Sequence, residues 1–407
     1  MELQRFYRKQ LLHIRGENEM KRGKILICTF AVMLLCTGCG ETVSETIGEI
    51  REPEYKEVTV ELSEFEDKFY YSQLSEEEQL IYREIYQGVL EHEEAIIVHG
   101  TDPNYVNRIL EPIVYDFPEL FWIDGASSAT SYDESLLKEG YTIIRPVYLY
   151  SKEESEQREA IIEQEKEVIL SAIPENYGEY ETIKYLYDYL VDRLDYVEGA
   201  PDNQNICSAL IQNETVCAGY AKTLQYLLSE MDLYSIYVVG DVTDETGTDG
   251  HAWNIVRCNG NYYNVDVTWA DPIQEENDYI MERERIYDYL LCSDAELADT
   301  HSADRAYFYP SCMMEDLNYY RLQGAYYESV DYYALLNRMK ESIRNKADSV
   351  TFKLSEEIYE QGKNLIIDEL AGEAAQYLCQ RYGLWEVHYY YEENEFLNRV
   401  TLYWQYK

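Results

Sequence analysis

Basic residues are scarce in this chain. Thirty-four Lys and Arg stand against 78 Asp and Glu, a net charge of −44. Such a chain repels phosphate backbones and anionic lipid headgroups, which argues against nucleic acid as a partner. The acids are spread along the sequence rather than run together, the pattern of a solvated acidic surface. Phenylalanine is also sparse, 9 residues beside 43 tyrosines, so tyrosine serves as the half-exposed aromatic of a polar-surfaced protein. There is no glycine-rich phosphate loop, no basic aromatic patch and no internal repeat. Beyond Cys39 no two cysteines stand at C-x-x-C spacing, so structural zinc is not expected, and no metal or cofactor is called for. The 407 residues leave room for two or three domains.

The one strongly apolar run lies near the start. Lys21, Arg22 and Lys24 precede Ile25–Leu35, too short to span a bilayer comfortably and shaped like a secretory signal. Leu35-Cys36-Thr37-Gly38-Cys39 follows. It resembles a bacterial lipobox, with Cys39 as the lipid-bearing residue and Cys36 departing from the usual aliphatic position. Met20 is a plausible start of translation. Residues 1–38 are expected to form a signal peptide with lipobox, and 39–64, rich in Glu, Thr and Ser, a flexible tether. Residues 1–38 hold seven Lys/Arg and three Asp/Glu, so the mature part would carry 27 basic and 75 acidic residues, a net −48.

Residues 65–150 read as an N-terminal α+β region. Ser75 and Glu78 form a capping box before an apolar-periodic helix. Tyr105–Val114 suggests a second helix, and LFWIDGA and YTIIRPVYLYS two strands. Ser151 and Glu154 repeat the capping signature. Residues 151–312 are expected to form a central domain that holds the densest chemistry, and 313–407 an α+β accessory domain. In the latter, Asn318–Glu328 reads as a strand and Asp331–Asp348 as a helix. A strand at Val350–Leu354 and a helix at Ile358–Tyr382, interrupted near Gly372, precede a closing hairpin.

The densest chemistry lies between Thr215 and Pro272. Val216, Tyr220, Leu224, Leu227 and Leu228 recur at helical spacing, and Asn213 or Thr215 is placed to cap that helix. Cys217 then sits in the first turn, where open backbone N–H groups and the helix dipole favour an anion such as a thiolate. Gly219 beside it leaves room for close approach. Downstream, Asn259-Gly260 is a two-residue hairpin turn signal. Paired residues then sum to 519, which sets Trp253 opposite Asp266 and puts His251, Trp253 and Asp266 on one face of the sheet. A cysteine, a histidine and an aspartate so arranged offer the parts of a thiol triad: nucleophile, base and orienting acid.

V-C-A-G-Y-A, G-H-A-W-N and Y-N-V-D-V-T-W-A-D-P resemble the transglutaminase-like superfamily of papain-type folds. The likeness extends over about residues 177–310. It implies an α+β core in which a Cys-bearing helix packs on an antiparallel sheet, with small α+β flanks. It also implies Cys217 as nucleophile, His251 as base and Asp266 as orienting acid, with Gly219, Tyr220 and Trp253 in support. The family acts on amides by cross-linking, deamidation or hydrolysis. The expected function is thus thiol-dependent acyl transfer or hydrolysis on a peptide, protein or cell-wall peptide, at the outer face of a bacterial membrane. The alternative is a catalytically idle module that binds such peptides. His301 reads as a surface-loop histidine, and Asp241, Asp244 and Asp249 as a solvated loop rather than a calcium site. Cys292–Cys312 is the one disulfide to consider.

Overall fold

Capping chemistry starts the helices where the sequence places them. The computed structural model describes residues 55–132, 140–244, 247–270 and 285–406; the leader, Cys39 and most of the tether lie outside that range. After a short turn α1 (Phe69–Ser72), Ser75 accepts from the Glu78 amide and Glu78 accepts from the Ser75 amide, opening α2 (Glu76–Leu90). Strand β1 (Ile96–His99) leads to α3 (Pro103–Asp116), which Asp102 caps. Strands β2 (Ile123–Tyr132) and β3 (Tyr141–Tyr148) complete an antiparallel sheet of order β1-β3-β2. A second capping box at Ser151 opens α4 (Lys152–Ser171), followed by α5 (Glu179–Arg193).

The next elements position the site. Two short parallel strands, β4 (Asp195–Tyr196) and β5 (Glu214–Thr215), deliver the chain to α6 (Cys217–Ser229). The sheet against it contains β6 (Ser235–Asp244), β7 (Gly247–Cys258), β8 (Asn261–Val265), β9 (Leu290–Cys292) and β10 (His301–Ala303). Its order is β10-β6-β7-β8-β9, antiparallel throughout. Leu224, Leu227 and Leu228 of α6 share one buried core with Ile81 and Ile85 of α2, Leu186 and Leu190 of α5, and Val256 and Val265 of the sheet. The fold is α+β with a Cys-bearing helix on an antiparallel sheet, and the N-terminal helices pack into the same core.

Two sequence expectations change between the sheet and the C-terminus. The stretch from Cys292 to Cys312 holds a capping box on Ser293, the helical turn α7 (Asp294–Leu297) and the edge strand β10. Cys292 and Cys312 are both buried free thiols, so the disulfide is not formed. Asn318–Glu328 is not one strand. Asn318 accepts from the Tyr320 and Arg321 amides and starts α8 (Tyr319–Leu322); Gly324, at φ +61°, then turns the chain into the two-residue strand β11 (Tyr326–Tyr327).

The rest follows the expected order of elements: α9 (Tyr332–Arg344), β12 (Ser349–Leu354), a helical stretch, then β13 (Tyr389–Asn394) and β14 (Arg399–Trp404). The helical stretch is α10 (Tyr359–Asn364), a π-helical turn at Leu365–Leu370, and α11 (Ala371–Tyr382). The irregularity thus precedes Gly372, which lies inside α11. The C-terminal sheet has the order β11-β12-β14-β13 and a core of its own around Phe352, Leu402 and Trp404.

Charge ties this C-terminal sheet to the region before β9. The buried Asp288 carboxylate accepts from Lys353 at 2.7 Å, Arg399 at 2.5 Å and the Tyr320 hydroxyl at 3.0 Å. Burial opposes the charge on Asp288, but Lys353 and Arg399 outweigh it and hold the carboxyl below its usual range. Replacing one member of a buried pair leaves the other charge unmatched, at a cost of about 3–5 kcal/mol. Asp288→Leu is therefore expected to lower the urea midpoint by a matching amount. The contribution of Asp288 should be full above about pH 4, the range of a free carboxyl, and fade as pH falls below it. Urea melts of both proteins at pH 3 and 7 check this: the gap between them should narrow at pH 3.

Candidate functional site

The nucleophile's position is set by an open helix start. Val216 occupies the cap position in extended conformation, and no side chain caps α6. Neither residue proposed for that role performs it. Asn213, at φ +62°, ends the preceding π-helical turn Ser208–Gln212, and the Thr215 hydroxyl pairs with Ser208 Oγ at 2.6 Å. No side chain therefore covers the first turn of α6, where the half-buried Cys217 sits. Gly219 is required here: a Cβ on it would lie 1.8 Å from Thr215 Oγ1. Tyr220 is wholly buried, and its hydroxyl donates to the Leu194 carbonyl at 2.9 Å, joining α6 to the end of α5. Asn254 Nδ2 donates to the Ala221 carbonyl at 3.0 Å, bolting β7 to α6.

The hairpin has the register its turn implies. Cys258 pairs with Asn261 and Asn254 with Val265, around Asn259 (φ +50°) and Gly260 (φ +84°). Positive φ at both turn positions matches the right-handed twist of the strands, which is why Asn-Gly sits there. His251 and Asp266 consequently meet. His251 Nε2 lies 2.6 Å from Asp266 Oδ2, and both side chains are almost fully buried. Trp253 is buried beside them. Its ring lies 6.2 Å from the His251 ring at 19°, and its Nε1–H donates to Asn264 Oδ1 at 3.2 Å. The acidic stretch around Asp241, Asp244 and Asp249 is no free loop; it forms the outer arms of the β6–β7 hairpin.

His301 was misjudged as a surface residue. Its side chain is fully buried, with Nε2 2.9 Å from Asp266 Oδ2 and Nδ1 2.6 Å from Thr300 Oγ1. Strand β10 delivers it by pairing with β6, His301 opposite Val242. The sequence carries one usable signal, the Ser293–Glu296 capping box, which predicts an ordered turn shortly before. Nothing local foretells that the next strand lies at the sheet edge nearest the site.

Asp266 gathers all of this. Its Oδ1 accepts the Thr268 and Trp269 backbone N–H groups at 2.8 and 3.2 Å, while Oδ2 faces both histidines. Burial works against its charge, but the two imidazoles overcome this and hold the carboxyl well below its usual range. Burial likewise opposes charge on His251; Asp266, and behind it Cys217, outweigh burial and raise the imidazole above its usual range. The same interaction with Cys217 places the thiol beside the His251 ring. Tyr196, next to Thr215 across the β4–β5 pair, is half-exposed on the Cys217 side.

His251, Asp266 and His301 also form the one group of potential metal ligands among the described residues, with donor atoms within 4.8 Å of one another. Both Nε2 atoms already face Asp266 Oδ2 at hydrogen-bond distance, so a cation would have to displace two N–H protons. The distances suit a hydrogen-bonded chain better than a ligand set.

Two outcomes are expected from this geometry. Gly219→Ala must push Thr215 away and shift the start of α6; strain of this kind typically costs about 1–3 kcal/mol. Thermal melts should fall, and Cys217 alkylation should slow further than the lost stability explains. The His251–Asp266 pair should also shape stability against pH. The raised His251 contributes fully below about pH 6.5, the free imidazole range, and loses this as pH rises through its folded value. The depressed Asp266 contributes above about pH 4 and loses this on acidification. Stability lost by Asp266→Asn should therefore be largest between these limits, read by denaturant melts across pH.

Comparison with known proteins agrees with the fold. No curated protein matches the sequence. Solved structures with some likeness include a TGase, 11% identical, TM-score 0.26, covering 38% of this chain and 47% of the other. A proposed cysteine protease from Cytophaga hutchinsonii is 12% identical, TM-score 0.24, covering 37% of this chain and 65% of the other. The periplasmic domain of TgpA from Pseudomonas aeruginosa is 13% identical, TM-score 0.18, covering 43% and 68%. This chain spans less than two thirds of the first two, and likenesses this weak carry no weight for the site. The family model of the transglutaminase-like superfamily matches residues 171–267, a span that contains Cys217, His251 and Asp266 and stops before His301. Residues 171–267, from the end of α4 through the β7–β8 hairpin, thus resemble a domain of the transglutaminase-like superfamily.

Proposed function

We propose that this protein carries out thiol-dependent acyl transfer or hydrolysis on peptide or protein amides, with Cys217 as nucleophile, His251 as proton carrier and Asp266 as the group that orients it. One observation carries the reading: a buried, hydrogen-bonded His251–Asp266 pair stands beside a thiol at an uncapped helix start. Asp266 takes the Nε2–H of His251, which leaves Nδ1 for the thiol proton. Proton transfer then gives a thiolate–imidazolium pair, supported by the helix dipole and by Asp266. The thiolate attacks the amide carbon, and the Cys217 N–H is positioned to donate to the developing oxyanion. His251 returns the proton to the departing amine, leaving a thioester on Cys217. Water or a second amine then attacks that thioester, with His251 as base, and restores the thiol.

The proposal extends to location. The Lys21–Cys39 leader supports a lipoprotein held at the outer face of a bacterial membrane through Cys39, with peptides or cell-wall peptides as substrates. One acyl chain anchors only weakly, so stable attachment needs the two or three chains of a bacterial lipoprotein. The mass of the mature N-terminal peptide tests this. Diacylglycerol on Cys39 is expected; unmodified Cys39 in membrane-extracted protein would end the idea.

Incubation with a library of peptides and wall fragments plus a tagged amine, read by mass spectrometry, tests the chemistry. Tag incorporation marks transfer, and cleavage alone marks hydrolysis. Either should vanish in Cys217→Ala, and an idle module would give neither. Asp266→Asn keeps the shape but removes the charge and favours the wrong tautomer. It should lower turnover by roughly 10³- to 10⁴-fold. Because the imidazolium of His251 is stabilised, activity should persist well above about pH 6.5, where a free imidazole has lost its proton. A wild-type rate that falls through that value would contradict the pairing.

A further inference from the structure

The second histidine at Asp266 has no part in the three-residue reading, yet its side chain is fully buried. A deprotonated carboxylate is an acceptor only, with about four lone-pair sites on its two oxygens. In Asp266 all are in use: two backbone N–H groups on Oδ1, and His251 and His301 on Oδ2. Both imidazoles must therefore donate their Nε2–H. For His251 this leaves Nδ1 as the nitrogen that can take a proton. The other ring nitrogen of His301, Nδ1, lies 2.6 Å from the Thr300 hydroxyl. That hydroxyl is itself anchored, 3.1 Å from the Leu297 carbonyl. Thr300, His301, Asp266 and His251 thus form one continuous hydrogen-bonded chain that starts outside the family-matched segment.

We propose that His301 is a positioning residue for the thiol chemistry, its Nε2–H holding Asp266 Oδ2 on the line to His251. This rests on the thiol acyl-transfer reading of the same site. Its physical basis is the sharing of one oxygen. Oδ1 is held by backbone, which fixes the carboxylate plane but not the balance of donors at Oδ2. With His301 in place, Oδ2 is approached by two N–H groups, and the 2.6 Å bond to His251 sits within a fixed angle. Without it, the buried oxygen loses a donor that no water replaces easily, because rings close the space. The Trp253 ring lies 5.1 Å from His301, Trp269 5.0 Å and Tyr289 5.6 Å, with His251 at 5.5 Å. The charged or titratable groups around His301 are therefore Asp266, His251 and Tyr289. Burial keeps Tyr289 protonated, so the charges that face His301 are the Asp266 carboxylate and the His251 imidazolium.

The ring contacts raise a competing explanation, that His301 is only a wedge behind His251. Two variants separate these roles. His301→Phe keeps a ring of similar size and removes the N–H. His301→Gln removes the ring and keeps an amide N–H close to the Nε2 position. If the N–H positions Asp266, the Phe variant should lose roughly 10- to 100-fold in kcat with little change in KM, the scale of small misplacements and lost outer hydrogen bonds. The Gln variant should stay within a few-fold of wild type. The alkylation rate of Cys217 by iodoacetamide at pH 6, read on the Cys217 peptide by mass spectrometry, should follow the same order. Near-wild-type behaviour in Phe with loss in Gln would overturn the proposal, as would wild-type rates in both. Alkylation needs no substrate, so it separates failure of this inference from failure of the enzymatic reading. A protein with no turnover but a His301-dependent alkylation rate keeps the positioning role and loses only the reaction. Melting curves of both variants identify any loss that is merely unfolding.

Discussion

A carboxylate buried among aromatic rings is the constraint on which this site depends. Taking Asp266 out of water would be prohibitive without donors, and the fold supplies four. They come from three structural decisions. The Asn259-Gly260 turn sets the register that brings His251 diagonally across from Asp266. The chain's departure from β8 into the turn at Thr268–Ala270 aims two backbone N–H groups at Oδ1. The β10–β6 pairing brings His301. A shift in any of the three would leave a buried charge short of a partner, so the requirements of the carboxylate hold the local fold together as much as the fold holds the carboxylate.

The helix and the sheet divide the chemistry between them. Helix α6 contributes the thiol at a start that no side chain caps, and the sheet contributes the two imidazoles. Their relative placement is enforced by Asn254, whose amide spans from β7 to the Ala221 carbonyl, and by Tyr220, which anchors the helix to Leu194. Gly219 permits the tight approach of Thr215 under the first turn. The ring contacts of Trp253 and Trp269 with His251 and His301 keep the imidazole chain out of bulk water, where its electrostatics would be screened.

Much of this was legible because it is local. Ser75 and Ser151 announce their helices through capping boxes whose partners sit three residues away. The apolar spacing from Val216 to Leu228 defines one helix face, and a two-residue Asn-Gly turn fixes a strand register. What could not be read depends on distance along the chain. His301 lies 35 residues beyond Asp266, and no local pattern states that β10 will pair with β6. Asn213 looked like a helix cap, yet its side chain type suits the left-handed position it takes just as well. The tyrosine-rich run after Asn318 has strand composition, but Asn318 and Gly324 break it by capping and by a positive φ. The π-helical turn at Leu365–Leu370 shows no marker in composition, while Gly372, the expected interruption, is accommodated within α11.

The central claim is that His251, held by Asp266, governs the reactivity of Cys217. The rate of Cys217 alkylation against pH, compared between wild type and His251→Ala, tests it most directly. A wild-type rate already high near pH 6, and a His251→Ala profile displaced toward alkaline pH with slow residual reaction from the helix start alone, is the expected result. Superimposable profiles would mean that the thiol and the imidazole do not act together, and would contradict the thiol-enzyme reading.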